Sequence, residues 1–330
     1  MVFVTGGTGF LGSYIIKKLV EKNYFVRAIR RNNKLPFYIS PEILNKVDWI
    51  DGNVLDVVAL EEAMTGADAV IHAAAKVSFQ PKERKEMYKT NIEGTANVVN
   101  TALSLNIKKL VHISSIAALG RTMEGEKVDE TKQWKESKHN TNYAISKYHG
   151  EMETWRAIGE GLNAVIVNPS TVIGFGDWNT TSCAIFKTVY DELPWYTNGI
   201  NGFIDVEDAA KAIVRLMEND ISNERFILSG ETASFREIFS LIADEFDKRH
   251  PTREATPFLA AIAWRLEKIK SMFTGKPSIL TKESAMLAMT KTYFDNSKIL
   301  KTLPDFSFTP LQQTIKKACV HYAANASVNS

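Results

Sequence analysis

Short apolar runs alternate with amphipathic stretches through the first half of this 330-residue chain. We predict strands over residues 2–5, 25–29, 47–50, 69–72, 110–114 and 164–168. The intervening patterns predict helices near residues 10–22, 56–65, 83–105 and 142–158. Repeated strand–helix units favour an α/β fold, in which helices cover both faces of a parallel sheet. Ligands of such sheets bind beyond the C-terminal ends of the strands.

The second half of the chain is less regular and mostly helical. We predict helices over residues 206–217, 235–246, 258–272, 282–289 and 311–322, a strand over 225–228, and a polar turn over 198–202. Five prolines after residue 250 separate these segments. The predicted organisation is a sheet domain over residues 1–168, completed by parts of 200–230, and a second region over 169–200 and 231–330.

Composition and charge narrow the classes of partner. The chain is 45% hydrophobic and 24% charged, with a net charge of +2, which gives no overall attraction to nucleic acid or to an anionic membrane. No apolar run approaches the ~20 residues that a bilayer crossing needs. Because the first strand starts at Val2, we expect no leader and a cytoplasmic protein. Cys183 and Cys319 form no CxxC and are expected to be free thiols, and we predict no metal site.

The first twelve residues predict a nucleotide site, because a strand, a glycine-rich turn and a helix follow one another directly. Gly6 permits the tight turn, Gly9 leaves room for a pyrophosphate, and Gly12 lets the helix pack on the strand. A turn without a ligand is the alternative, but three glycines at this spacing reduce stability unless something must come close. The predicted contacts are Thr5, Gly6, Gly7, Thr8, Gly9, Phe10, Leu11 and Gly12.

The end of the second strand favours NADP(H) over NAD(H). An NAD site places a carboxylate there to accept from the ribose 2′-hydroxyl, whereas this chain has Arg30 and Arg31. Guanidinium groups fit a 2′-phosphate by charge and by paired hydrogen bonds. A solvated basic turn is the other interpretation.

Further cofactor contacts are predicted after other strands. Asn53, followed by Val54, is placed to hydrogen-bond the adenine. Ala73, Ala74 and Ala75 are small enough for a cofactor to pass, although ordinary tight packing explains them equally well. Pro169 and Ser170 follow the predicted strand over residues 164–168, where a nicotinamide amide needs partners, and are predicted contacts too.

Tyr143 and Lys147 are four residues apart in a helical stretch and therefore share one face. A free phenol has a pKa near ~10, and we expect the Lys147 ammonium to lower it, so that Tyr143 acts as general acid or base. Lys147 can also hold the nicotinamide ribose, and Ser115 can hydrogen-bond the substrate oxygen. A YxxxK pattern alone is frequent by chance, but here it accompanies the glycine turn and Ser115 at a strand end.

Together these segments resemble the extended short-chain dehydrogenase/reductase superfamily, also called the NAD(P)-dependent epimerase/dehydratase family. The resemblance covers nearly the whole chain and includes residues 5–12, 72–75, 91–95, 114–120, 143–147, 168–176, 198–212 and 293–299. It implies a Rossmann-type doubly wound parallel sheet with a smaller, mostly helical C-terminal substrate-binding region. The family's serine, tyrosine and lysine map onto Ser115, Tyr143 and Lys147. Asn91 matches a family asparagine and is expected near the cofactor, with helix packing or capping as its alternative role.

Within the superfamily the chain looks most like the dihydroflavonol-4-reductase and 3β-hydroxysteroid-dehydrogenase-like branch. The resemblance implies an NADP(H)-dependent oxidoreductase that interconverts a ketone or aldehyde and its alcohol. A nucleotide-sugar epimerase or dehydratase is the alternative, weakened because Asn201-Gly202 stands where such enzymes usually place an arginine; Arg225 or Arg236 could substitute. A non-catalytic NADP-binding regulator is a third hypothesis.

The substrate region is rich in aromatic residues, which suit a ring-containing or alkyl substrate but also an ordinary core. Phe175 and Trp178, after the last sheet strand, are the predicted substrate contacts beside Ser115. The expected partner is a small carbonyl or alcohol compound. A homodimer through the 83–105 and 142–158 helices and a monomer both remain open.

Overall fold

The computed structural model describes residues 1–120, 125–274 and 280–328. The strands are β1 Val2–Thr5, β2 Val26–Arg30, β3 Asp48–Asp51, β4 Ala69–His72, β5 Lys109–Ile113, β6 Lys127–Val128, β7 Ala164–Pro169, β8 Thr171–Ile173, β9 Trp195–Tyr196, β10 Ile200–Asp205, β11 Glu224–Leu228, β12 Glu231–Ser234, β13 Arg253–Glu254 and β14 Tyr293–Phe294.

The α-helices are α1 Phe10–Glu21, α2 Pro41–Leu44, α3 Val57–Met64, α4 Arg84–Tyr88, α5 Gly94–Ser104, α6 Asn142–Gly159, α7 Ala184–Tyr190, α8 Val206–Glu218, α9 Phe235–Phe246, α10 Pro257–Thr274, α11 Lys282–Leu287, α12 Ser297–Thr302 and α13 Leu311–Val328. Among the described helices, none combines the length and apolar character that a bilayer crossing requires.

A seven-stranded sheet in the order β3-β2-β1-β4-β5-β7-β11 forms the centre of the molecule, and every pairing in it is parallel. The strands β1, β4, β5 and β7 are buried along their whole length, as expected for strands covered on both faces. The predicted Rossmann-type sheet is confirmed. The strand order reverses between β1 and β4, and this crevice is where such folds bind ligands.

The predicted helix over residues 83–105 is interrupted. A π-helical turn, Lys89–Glu93, separates α4 from α5. A π turn adds a residue to the helix and re-aims the side chains on either side of it, a feature often found at functional sites. Period counting does not reveal this turn, because the apolar positions still follow a helical spacing.

The prediction of a polar turn over residues 198–202 is wrong. Ile200–Asp205 is the strand β10, which pairs with β8 in parallel and with β12 in antiparallel orientation. The Asn201 amide is satisfied in the strand because it donates to Thr171 Oγ1 at 3.0 Å. Phe203 and Ile204 supply the buried residues that hold β10 in the second sheet.

Both cysteines are buried free thiols, as predicted. Burial is the main reason that the pKa values of Cys183 and Cys319 rise to about 12. A thiol with such a pKa is almost fully protonated at neutral pH and is a poor nucleophile.

Candidate active site

A cleft of about 410 Å³ lies beyond the C-terminal ends of β1 to β4. Ten predicted cofactor contacts line it: Gly6, Thr8, Gly9, Arg30, Arg31, Asn53, Val54, Ala73, Ala74 and Ala75. Gly52, expected with Asn53 beside the adenine, lines it as well, whereas sequence reasoning missed the remaining wall: Ile29, Lys76, Val77, Glu86 and Thr90. Most of these missed residues are next to a predicted contact in the sequence. Extending the predicted segments by a residue or two would therefore have found them.

The glycine turn brings β1 and β4 into close contact. Gly6 has a φ of +70°, and a Cβ atom on it would lie 2.6 Å from the carbonyl carbon of Ala73. A Cβ atom on Gly12 would lie 2.1 Å from the Gly6 carbonyl oxygen, so the start of α1 rests on the turn. The backbone of Gly9 forms part of the cleft wall. The turn therefore leaves a smooth backbone surface at the N-terminus of α1, as a pyrophosphate site requires.

Several residues of the turn do not line the cleft. Thr5 is fully buried, and its hydroxyl is hydrogen-bonded to His72 Nδ1 at 2.7 Å and accepts from the Ala74 N–H at 3.1 Å. A Cβ atom on Gly7 would meet the Ile16 side chain at 2.4 Å, so Gly7 serves core packing. These two residues hold the turn in place.

Phe10 and Leu11, also predicted contacts, lie outside the cleft wall. Phe10 packs edge-on against Tyr14 and Tyr38, and Leu11 packs against the core beneath α1. Apolar residues in the first turn of α1 pack here against neighbouring side chains, and the pattern alone did not separate them from cofactor contacts.

Pro169 and Ser170 end β7 and are buried. The Ser170 hydroxyl is one of few buried polar atoms in the described chain with no hydrogen-bond partner. The cleft wall does not include either residue. Their predicted contact with a nicotinamide therefore stays a prediction.

Arg30 and Arg31 both reach the cleft. The Arg30 Nε donates to Asp51 Oδ1 at 2.8 Å, and its guanidinium lies 5.9 Å from the centre of the Trp49 ring. This ion pair uses one of the five guanidinium donors. The Asp51 carboxylate comes from the neighbouring strand β3, a partner that the inspection of β2 alone could not reveal.

Tyr143 lies in the first turn of α6, which begins with a side-chain cap. The Thr141 hydroxyl accepts from the Ala144 N–H at 3.1 Å and fixes where the helix starts. Ser115 follows β5 and caps a short 3₁₀ turn, Ile116–Leu119, by accepting from the Ala117 N–H at 3.1 Å. The Ser115 side chain lies close enough to the Tyr143 hydroxyl to act on its pKa in the lowering direction. The structure therefore joins two residues that the sequence separates by a loop and a helix cap.

The direction of the Tyr143 pKa corrects the sequence-based expectation. Burial raises the pKa of Tyr143 above its usual value, and Ser115 acts in the lowering direction. Burial also lowers the pKa of Lys147 to about 8, against an opposing effect of Glu151. The Lys147 ammonium donates to the Ile113 carbonyl at 2.9 Å. In this structure, Ser115 rather than Lys147 favours the phenolate.

Glu151 is a further buried residue on the same face of α6, one turn beyond Lys147. It is 2% exposed, and Ser114 Oγ donates to its Oε2 atom at 2.7 Å. Asn168 Nδ2 donates to the same oxygen at 2.8 Å, and Arg225 pairs with Oε1 at 3.1 Å. The carboxylate thus connects β5, β7, β11 and α6 directly beneath Ser115 and Lys147. Its i,i+4 spacing from Lys147 was the available sequence signal.

Asn91 does not line the cleft but positions its neighbours. It lies in the π-helical turn and is 2% exposed. Its Oδ1 accepts from the Lys76 N–H at 2.7 Å, and its Nδ2 donates to the Lys76 carbonyl and to Ser146 Oγ, each at 2.9 Å. Asn91 therefore ties Lys76 of the cleft wall to the helix that carries Tyr143, which matches the alternative packing role.

The aromatic neighbour of Tyr143 is Phe79, whose ring centre lies 6.0 Å away. Sequence reasoning missed Phe79, because nothing local distinguishes it from other loop aromatics. Phe175 and Trp178, predicted to contact substrate, pack on Tyr322 of α13, with ring centres 5.0 and 5.3 Å away. Both are partly exposed, and their contact with substrate stays a prediction.

Comparison with known proteins identifies the family of this site. The NAD dependent epimerase/dehydratase family matches residues 2–228. The chain belongs to this family. The resemblance to the dihydroflavonol-4-reductase-like branch of the extended short-chain dehydrogenase/reductases is confirmed. The prediction that the protein is an enzyme is also confirmed, because these relatives are named as reductases.

Three similar proteins illustrate this membership. The chain is 31% identical over 308 residues to a Synechocystis sp. protein provisionally named dihydroflavonol 4-reductase, covering 91% of this chain and 88% of that protein. It is 28% identical over 260 residues to cinnamoyl-CoA reductase 1 of Petunia hybrida, covering 74% and 77%. The crystal structure of gox2253 superposes with a TM-score of 0.83 at 26% identity and covers 98% of both chains.

Members of this family use NAD(P), and the residues of the cleft fit such a group. The glycine turn at the start of α1 fits a pyrophosphate, because Gly6 and Gly9 line the cleft and have no side chains to cover the backbone there. Ala73, Ala74 and Ala75 also line the cleft, and their short side chains leave room for a cofactor.

Proposed function

We propose that the protein is an NADP(H)-dependent oxidoreductase that interconverts a ketone or aldehyde and its alcohol. The observation that carries the proposal is the placement of the Tyr143 hydroxyl beside Ser115, which acts to lower its pKa, at the sheet edge that also bears the glycine-lined cleft. A phenol and a hydroxyl placed together can hydrogen-bond one carbonyl oxygen from two sides.

NADPH, when bound, supplies the hydride for reduction. The glycine turn holds its pyrophosphate, and Arg30 and Arg31 hold its 2′-phosphate. Tyr143 donates a proton to the substrate oxygen during reduction and takes it back during oxidation. Ser115 hydrogen-bonds the same oxygen, and the Lys147 ammonium would hold the ribose hydroxyls of the bound cofactor.

NADP(H) rather than NAD(H) is supported by the charges at the adenosine end of the cleft. Arg30 and Arg31 both line it. A 2′-phosphate offers these guanidiniums paired, charge-assisted hydrogen bonds. The Asp51 carboxylate already accepts from Arg30 and holds that side chain at the cleft.

The substrate class that best fits the site is a carbonyl attached to an aromatic or conjugated system. Phe79 presents a ring 6.0 Å from Tyr143, where an aromatic group of a substrate can stack. The names of the relatives, a dihydroflavonol 4-reductase and a cinnamoyl-CoA reductase, agree with this chemistry.

The nucleotide-sugar alternative receives less support from the residues that could bind a diphosphate. Arg225 is engaged, because it donates to the backbone carbonyls of Glu130 and Lys132 and pairs with Glu151. A side chain at Gly202 would collide with Ser229 Oγ at 2.1 Å, so the usual arginine has no room there. Arg236 is exposed and lies 4.9 Å from the centre of the Tyr196 ring.

A spectrophotometric screen of NADPH oxidation over aromatic, conjugated and aliphatic carbonyls tests the proposal. Turnover that is lost in Tyr143→Phe supports a carbonyl reductase. Thermal stabilisation by UDP- or GDP-sugars, with a nicotinamide cofactor retained through purification and no turnover of free carbonyls, would instead identify a nucleotide-sugar enzyme. NADPH binding with neither behaviour would identify a regulator.

A further inference from the structure

The α10 helix exposes an unusual amount of apolar surface. Five large apolar residues at spacings of four, four, three and four fall on one side of the helix: Phe258, Ile262, Leu266, Ile269 and Phe273. We call this row the outer stripe. Its ends are the most open, since Phe258 is 73% and Phe273 is 88% exposed. No residue of α10 is buried.

The stripe faces away from the rest of the protein. The half-buried residues Ala260, Trp264, Glu267 and Ser271 lie on the opposite side of the helix, and α10 packs against α11. A globular helix normally turns its apolar side to the core and its charged side to water. Here the large apolar residues of the stripe face water instead, so the outer stripe is available for an apolar partner outside the chain.

The charges beside the stripe identify the kind of partner. At 100° per residue, Arg265 falls about 20° outside one edge of the stripe and Lys270 about 40° outside the other, while Lys268 lies further round on the Arg265 side. The acidic residue of the helix, Glu267, lies on the inner side and pairs with Lys270 at 3.2 Å. An apolar stripe with cations beside it is the pattern of a helix that lies in the interface of an anionic bilayer.

A second copy of the chain fits this surface less well. In a two-fold dimer the same patch would face itself and would bring Arg265 and the flanking lysines of both copies together. Such repulsion opposes pairing, whereas anionic lipid headgroups complement the same cations.

We infer that α10 is a membrane-docking helix that binds the surface of an anionic bilayer through the outer stripe and its flanking cations, without spanning it. This goes beyond the proposed function. It also revises the sequence-based prediction of no membrane partner, which considered apolar run length and net charge. Neither quantity detects apolar and basic residues that are segregated around one helix.

The position of α10 gives such docking a consequence at the candidate site. Glu283 of α11, against which α10 packs, accepts from the Asn142 N–H at 3.1 Å, and Asn142 immediately precedes Tyr143. A docked bilayer therefore lies on the side of the molecule where α6 begins. If the proposed function holds, this would favour carbonyl compounds that partition into lipid.

The test is co-sedimentation of the full chain with sucrose-loaded vesicles, without cofactor or substrate, so that its result does not depend on the proposed function. We expect binding to phosphatidylcholine vesicles that contain phosphatidylglycerol, and weaker binding to phosphatidylcholine alone or at high salt. Leu266→Glu/Ile269→Glu should abolish binding. The matched control Val58→Glu/Val320→Glu, which changes two exposed apolar residues on α3 and α13 in the same way, should bind like the wild type.

A second pair of variants tests the charges and leaves the apolar stripe intact. Lys268→Gln/Lys270→Gln should weaken binding at least about tenfold. Lys46→Gln/Lys316→Gln, with the same loss of charge elsewhere, should not weaken it. Circular dichroism verifies that each variant is folded.

Three results would overturn the inference. The first is that the wild type does not sediment with anionic vesicles. The second is that the Leu266→Glu/Ile269→Glu variant sediments as well as the wild type. The third is that light scattering finds a dimer that this variant converts to a monomer, with no vesicle binding, since the stripe would then be a contact between copies.

Discussion

The Arg225 Nη1 atom lies 3.1 Å from Oε1 of Glu151, and this pair connects β11 to the helix that carries Tyr143 and Lys147. Because Glu151 is buried, removing its carboxylate takes this acceptor from a partly buried guanidinium and from three further donors, on Ser114, Trp155 and Asn168. Such losses are costly in a protein interior.

We therefore predict that Glu151→Ala lowers the free energy of unfolding by about 3–5 kcal/mol. Glu160→Ala, on the same helix, breaks an exposed ion pair with Arg156. It should change the free energy of unfolding by about 0–1 kcal/mol. Urea unfolding followed by circular dichroism measures both. Equal values for the two variants would contradict a stabilising role for the buried network.

Tyr143→Phe should reduce kcat by roughly 10²–10⁴-fold, because it removes the proton donor and keeps the ring beside Phe79. Tyr148→Phe is the matched control, since Tyr148 is on the same helix and stacks on Trp134. Steady-state NADPH oxidation with an active carbonyl measures both variants. Full activity in Tyr143→Phe would remove Tyr143 from the mechanism.

Replacing Arg30 and Arg31 together with alanine should weaken NADPH binding by about 10- to 100-fold, through lost charge-assisted hydrogen bonds to the 2′-phosphate. NADH binding should change by less than about threefold, since NADH carries no such phosphate. Fluorescence titration gives both dissociation constants. Lys46→Ala/Lys316→Ala controls for the lost charge. Equal losses of affinity for NADPH and NADH in the arginine variant would refute the 2′-phosphate assignment.

Lys147→Met should alter the pH dependence of stability. The pKa of Lys147 is about 8 in the folded chain, whereas the ordinary value is 10.5. Burial of the ammonium therefore destabilises the folded wild type, and this effect has its full size below pH 8. That destabilisation, about 3 kcal/mol, disappears as the pH rises through 10.5. The wild type should thus gain stability relative to Lys147→Met between those values. Thermal unfolding at a series of pH values measures the difference, and a constant gap would contradict a buried, charged Lys147.

The sheet and the glycine turn could be predicted because local physics determines them. Gly6 needs its positive φ, and the four-residue spacing of Tyr143 and Lys147 places both on one helix face regardless of the rest of the chain. Each of these signals lies within one strand–turn–helix unit.

The remaining parts of the site depend on contacts between distant segments. Arg225 is 74 residues from Glu151, and Phe79 meets Tyr143 from another loop. No local spacing encodes these pairs. The packing of Phe175 and Trp178 on Tyr322 is likewise beyond local pattern, since an aromatic residue suits a core and a ligand wall equally well until its neighbours are known.

The late arrival of β11 has a consequence for synthesis in the cell. The backbone of β7 is complete at Pro169, but the strand that covers its outer edge ends at Leu228, so roughly sixty further residues must leave the ribosome first. At ordinary translation rates this takes several seconds. Throughout that interval a nascent chain carries an uncovered strand edge, which can pair with other chains, and it also lacks the arginine that neutralises its buried glutamate.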